Sequence, residues 1–142
     1  MTNKERAELV KVRLQNSAEL YEDAYNLFVE GSFKSANNRA YYSLEKSLKA
    51  LLAIKGIDAI THNGVLVLFN QHFIYNNSSC FTKEDYKIYQ SVEYIRSASD
   101  YDDFYIASKS ETEEVLTQVK QLNDKVKDYV YEQQKEIEIT RD

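Results

Sequence analysis

Residues 37–57, NNRAYYSLEKSLKALLAIKGI, decide how this chain folds. At helical spacing Ala36, Ala40, Leu44, Leu48, Leu51 and Leu52 fall into one apolar stripe, the pattern of a helix packed along its whole length. Tyr41 flanks the stripe, and Lys46, Lys49 and Lys55 fall mostly off it. The first turns carry Asn37, Asn38 and Arg39. A cation there faces the positive end of the helix dipole, so Arg39 is expected to have a partner. The segment best suited to supply one is 93–102, EYIRSASDYD, which brings Arg96, Asp100 and Tyr101 together late in another helix.

Outward from this stretch the chain reads as further helices. Residues 4–29 place Val10, Leu14, Ser17, Tyr21, Ala24 and Phe28 on one face, and Gly31 follows as a stop. Ser32 stands at the N-cap position of the second helix, which Gly56 ends. A gap this short makes the first two helices an antiparallel hairpin. Residues 57–64 read as a loop and 65–75 as a short third helix. Its β-branched run also suits a strand, but no second strand is present to pair with it. Residues 76–81 read as a polar loop. Thr82 and Asp85 mark the start of a fourth helix with the seam Ile88, Val92, Ile95 and Ser99. Ser110 and Glu113 read as a capping box opening a fifth, with Val115, Val119, Leu122, Val126 and Tyr129 at heptad spacing. The charged tail after Gln133 is expected to fray. The expectation is an all-α antiparallel bundle of about five helices, with residues 1–142 as a single domain.

Composition narrows the function. The 142 residues contain no proline and three glycines, in keeping with helices and few tight turns. A net charge of −5 argues against a general nucleic-acid coat, which needs a basic face. No charged-then-apolar leader and no apolar run near the roughly 18–20 residues of a membrane span are present, so the expectation is a cytoplasmic protein away from membranes. Cys80 is the one cysteine and reads as a bystander thiol. Asn76 and Asn77 match the N-glycosylation triplet, a match without meaning unless the chain is secreted. His62 and His72 lack metal-ligand spacing and read as loop or surface imidazoles. Asp100, Asp102 and Asp103 resemble the start of a calcium loop, but Phe104 and Tyr105 occupy positions that need an oxygen ligand and a glycine. No metal and no cofactor is expected. Arg96 and Asp100 are four apart, so they share a helix face if the helix runs that far.

The text RAYYSLEKSLKALLAIKGI, then THNG, then IRSASDYDD, resembles the HEPN family (higher eukaryote and prokaryote nucleotide-binding domains). It looks most like the prokaryotic branch with an RAYY helix, a TH-x-G loop and an R-x-x-x-DY element, over residues 32–103. The resemblance implies a helical bundle that forms two-fold dimers, often the toxin half of a toxin–antitoxin pair with a nucleotidyltransferase partner. Active members are metal-independent ribonucleases whose arginine is followed, after four to six residues, by a histidine at the dimer cleft. Arg96 matches that arginine, but Tyr101, Asp102 and Asp103 stand where the histidine would fall. Tyrosine, with a pKa of about 10, is a poor proton acceptor near neutrality. The expected function is therefore a dimeric module binding a nucleotide, an RNA or a nucleotidyltransferase through Arg39, Tyr42, Arg96, Asp100 and Tyr101. The alternatives are a ribonuclease toxin using Arg96 with Tyr101 or His62, and a structural subunit supporting a nucleotidyltransferase.

Overall fold

The computed structural model describes residues 1–75 and 80–140, with side chains through residue 135. Asn76 and Asn77, with their glycosylation triplets, lie outside the described residues. Among the described residues five α-helices run in order: α1 (Asn3–Val29), α2 (Phe33–Ile54), α3 (His62–Phe69), α4 (Lys83–Tyr101) and α5 (Lys109–Thr140). A π-helical stretch, Asn70–Tyr75, extends α3. No strand occurs among the described residues.

The ends of the helices follow local chemistry. Thr2 and Glu5 close a capping box on α1, and Thr82 and Asp85 close one on α4. Gly31 and Gly56 take φ values of 85° and 71° just beyond α1 and α2, a backbone region that costs other residues a steric penalty. Ser32 occupies the N-cap of α2 without a side-chain hydrogen bond. Three boundaries differ from the sequence reading. α3 begins at His62 rather than Val65, because the Thr61 hydroxyl accepts from the Gly64 amide. α5 begins at Lys109, because Ser108 rather than Ser110 caps it, accepting from Glu111 N at 3.1 Å; two overlapping Ser-x-x-Glu frames compete here, and the earlier wins. α5 also continues through the charged tail to Thr140.

α2 is the central helix, touching α1, α3, α4 and α5. Its expected stripe, Ala36, Ala40, Leu44, Leu48, Leu51 and Leu52, is completely buried. Ser17 of α1 and Ser43 of α2 bond reciprocally, each hydroxyl donating to the other's carbonyl at 2.8 Å, and small side chains let these helices approach. Asn123 of α5 adds a donor to Ser43 Oγ at 2.9 Å. The α4 seam is Asp85, Tyr89, Val92, Arg96 and Ser99. Ile88 and Ile95 are only half-buried, and Tyr94 points outward.

The seven residues between α2 and α3, 55–61, are tied down along their length. Arg13 of α1 donates to Lys49 O at 3.1 Å and pairs with Asp58 at 3.2 Å, while the Thr61 cap holds the far end. This strapped loop delivers His62 against α2. Leu48→Ala should lower unfolding free energy by about 2–5 kcal/mol through lost burial and a residual cavity. Val67→Ala, at an exposed position, should stay within about 0.5 kcal/mol of wild type. Urea denaturation with an unchanged m-value checks both.

Candidate functional site

Tyr41 and Glu45 lie one helical turn apart on α2, and both are buried. The Tyr41 hydroxyl donates to Glu45 Oε2 at 2.6 Å. His62, the first residue of α3, places Nδ1 against the same oxygen. Lys49 Nζ stands 3.6 Å from Glu45 Oε1. On α4, Tyr89 Oη lies 3.0 Å from Tyr41 Oη and 3.4 Å from the His62 carbonyl. A hydroxyl has one proton. Tyr41 directs its own to Glu45, so the single Tyr89 proton is divided between the Tyr41 oxygen and the longer contact to the His62 carbonyl. Burial, with Glu45 and Tyr89 beside it, pushes the Tyr41 hydroxyl far above its ordinary value. Burial also raises Tyr89, against the opposing effect of Tyr41. Both remain protonated donors. Burial works against ionisation of Glu45, yet the hydrogen bonds from Tyr41 and His62, with the charges of His62 and Lys49, hold its carboxyl below the ordinary value.

Arg96 of α4 also packs against Tyr41, with 5% of its surface exposed. Its Cζ is 4.7 Å from the Tyr41 ring centroid, 5.9 Å from that of Tyr42 and 6.0 Å from that of Tyr101. Asp100 Oδ2 is 3.7 Å from Nη1, too long for a hydrogen bond. Nε is buried with no partner among the described residues. Burial works against the guanidinium's charge, but Tyr41, Tyr42, Asp100 and Tyr101 outweigh it and raise its pKa. The cation is thus held by aromatic faces, leaving donors uncommitted.

The expected residues come together unevenly. Tyr42, Asp100 and Tyr101 surround the Arg96 guanidinium, α4 having continued far enough to align Arg96 with Asp100. Arg39 is exposed and reaches Asp100 only through Asn38, which accepts from Arg39 at 3.1 Å and donates to Asp100 at 2.9 Å. His62 is not the bystander its loop context suggested: its ring packs edge-on against Tyr41 and Tyr42, at 5.3 and 6.0 Å between centroids. Tyr41, Glu45 and Tyr89 were missed as site residues. One signal was available, since Glu45 is the lone acid on α2. Among the described residues no cluster of His, Cys, Asp or Glu can hold a metal ion, and no helix is long and apolar enough to cross a membrane. Cys80 is exposed and unbridged.

Among the described residues the regular structure is all helix, and Arg96 and His62 both pack against Tyr41. A sequence profile of the HEPN domain matches residues 10–129. This chain belongs to the HEPN family. A UPF0332 protein of Pyrococcus horikoshii is 39% identical to this HEPN chain over 67 residues, 47% of each chain, so the match spans less than half of that relative. A UPF0332 protein of Thermotoga maritima is 32% identical over 97 residues, 68% of this chain and 72% of the relative. A protein of Methanocaldococcus jannaschii named "Putative toxin" is 32% identical over 103 residues, 72% of this chain and 69% of the relative.

The depressed pKa of Glu45 has a consequence for stability. A carboxyl whose folded pKa lies below its unfolded one stabilises the fold above the unfolded value, and that contribution is lost as pH falls through the folded one. The stability advantage of wild type over Glu45→Gln should therefore be full above pH 4.5, the ordinary glutamate value, and shrink below it. Denaturant titrations of both proteins on the acid side check the direction.

Proposed function

We propose that this HEPN chain, acting as one domain over residues 1–142, is a cytoplasmic, dimeric binding module whose Arg96 face takes a phosphate of a nucleotide or RNA. The observation that carries this reading is the guanidinium stacked in a tyrosine cage with its Nε unpaired. Arginine grips phosphate through a fork of donors, and Tyr101, 76% exposed, offers a face on which a base can stack. Arg39 adds positive charge at the rim, and Asp100 with Asn38 sets its position. The relative named as a toxin supports a toxin–antitoxin setting, in which a nucleotidyltransferase is the partner that the HEPN resemblance suggests. Tyr94, Tyr101, Phe104 and Ile106 are exposed on and just after α4, apolar area that an isologous contact would cover.

A second reading, a metal-independent ribonuclease, is favoured by one observation: His62, an imidazole, stands beside the tyrosines that hold Arg96. RNA cleavage needs a proton acceptor for the 2′-hydroxyl and positive charge on the phosphate, and these two residues have the chemistry for both tasks.

Arg96→Ala, assayed where the variant is fully folded, should raise the Kd for a short single-stranded RNA at least about tenfold, the size of a lost charge-assisted contact, while the lost ring contacts lower Tm by only several degrees. A variant that chiefly unfolds would make Arg96 a structural residue. Light scattering at tens of micromolar should give a dimer; a strict monomer counts against the two-fold module. RNA incubated without metal with wild type, Arg96→Ala, His62→Ala and Tyr101→Phe separates the readings. The binding reading expects intact RNA throughout, whereas wild-type cleavage lost in both Arg96→Ala and His62→Ala establishes the ribonuclease.

A further inference from the structure

Glu45 is a buried acid to which the binding reading assigns no task. Its surroundings are nonetheless built. Oε2 receives the Tyr41 hydroxyl and touches His62 Nδ1, and Oε1 faces Lys49. Tyr89 closes the circuit from Tyr41 to the His62 carbonyl. Three helices, α2, α3 and α4, thus meet through one carboxylate. An ionised carboxylate only accepts hydrogen bonds, so the nitrogen against it carries the proton. In a neutral imidazole this makes Nε2 the bare acceptor. The His62 side chain is 40% exposed, so its outer edge is open to solvent while its inner edge is fixed. Tyr41 is flanked by Arg96 at 4.7 Å and by His62 at 5.3 Å, so the cation and the oriented imidazole share one aromatic support.

We propose that Glu45 is a positioning residue that fixes His62 in the Nδ1–H tautomer, presenting Nε2 as an acceptor for a hydroxyl of the ligand whose phosphate Arg96 holds. The inference rests on the reading of the Arg96 face as the ligand site and sharpens it. A ligand satisfying both groups carries a hydroxyl close to a phosphate, which a ribonucleotide does through its 2′-hydroxyl and a deoxyribonucleotide chain does not. The buried phenols support the arrangement: held protonated, they donate toward Glu45 and do not compete with it for the Nδ1 proton. A purely structural Glu45 would anchor the loop equally well but would leave no reason for discrimination at the open edge of His62.

Two-bond 1H–15N NMR correlation spectra of the full chain, recorded where His62 is neutral, read the tautomer directly. The expected wild-type result is the Nδ1–H form. Glu45→Gln should shift the population toward the Nε2–H form that an unconstrained histidine favours. Glu45→Asp, which withdraws the carboxylate by one methylene, should do so in part, and it serves if the Gln variant does not fold. Wild-type protein in the Nε2–H form, or variants indistinguishable from wild type, would overturn the proposal.

Binding of a labelled short RNA and of the DNA of the same sequence supplies the second readout. Wild type should prefer RNA, and His62→Ala and Glu45→Gln should weaken RNA binding about tenfold, the worth of one net hydrogen bond, with DNA binding unchanged. RNA preference retained in both variants overturns the inference and leaves the Arg96 reading standing. Wild type that binds neither probe overturns the Arg96 reading and the ligand half of the proposal together, while the spectra still decide the Glu45 half.

Discussion

A carboxylate in the interior of a small helical bundle must be compensated, because an ionised group taken out of water without partners costs far more than a domain's net stability. Glu45 is that carboxylate, and much of this molecule's layout answers it. Tyr41 and Tyr89 are fully buried aromatic residues that keep polar ends, and both ends lead to Glu45. The THNG segment folds inward for the same reason, bringing His62 to the remaining position on Oε2. A leucine at this position would fit the stripe of α2, but it would give α3 and the α4 phenols nothing polar to converge on.

Arg96 is held on a different principle. Its carboxylate neighbour is the obvious partner by spacing, yet an i, i+4 ion pair near the surface is worth at most about 1 kcal/mol, and at 3.7 Å it lacks a hydrogen bond. A desolvated cation over an aromatic face is worth about 2 kcal/mol or more, and here three rings contribute. The rings therefore dominate the placement of the guanidinium, and Asp100 is left to organise Asn38 and, through it, Arg39. Stacking fixes the plane of a guanidinium without consuming its edge donors, which sets it apart from a bidentate ion pair.

The fold was largely legible in the sequence because helical periodicity reports burial directly: all six stripe positions of α2 are at zero exposure. Helix starts were less legible where two frames compete, as at Ser108 and Ser110, since hydroxyl spacing alone does not say which frame the tertiary contacts favour. The candidate site was half legible. Arg96, Asp100 and Tyr101 are neighbours along one helix, so their meeting follows from local spacing. Tyr41, Glu45, His62 and Tyr89 come from three helices, and no periodicity encodes a contact between the start of α3 and the middle of α2. His62 was further obscured because Thr61 lengthens α3 by three residues, carrying the imidazole from a loop into a helix start. Arg39 illustrates the reverse error: the dipole argument gave it a partner, but Asn38, with a shorter side chain and no charge to solvate, occupies the place beside Asp100.

The strap between α2 and α3 changes how this region tolerates variation. Gly56 turns the chain where an added Cβ would lie 3.1 Å from an Arg6 terminal nitrogen, Arg13 grips Asp58, and Thr61 caps the next helix. Between such fixings the contour length is a ruler. The exposed side chain of Ile60 can change with little effect on where His62 arrives, whereas one inserted or deleted residue moves the imidazole by about 3.3–3.6 Å, more than the reach of a hydrogen bond. In this part of the molecule spacing, rather than residue identity, carries the information, and a relative with the same letters around THNG but a loop one residue longer would keep the motif while losing the contact.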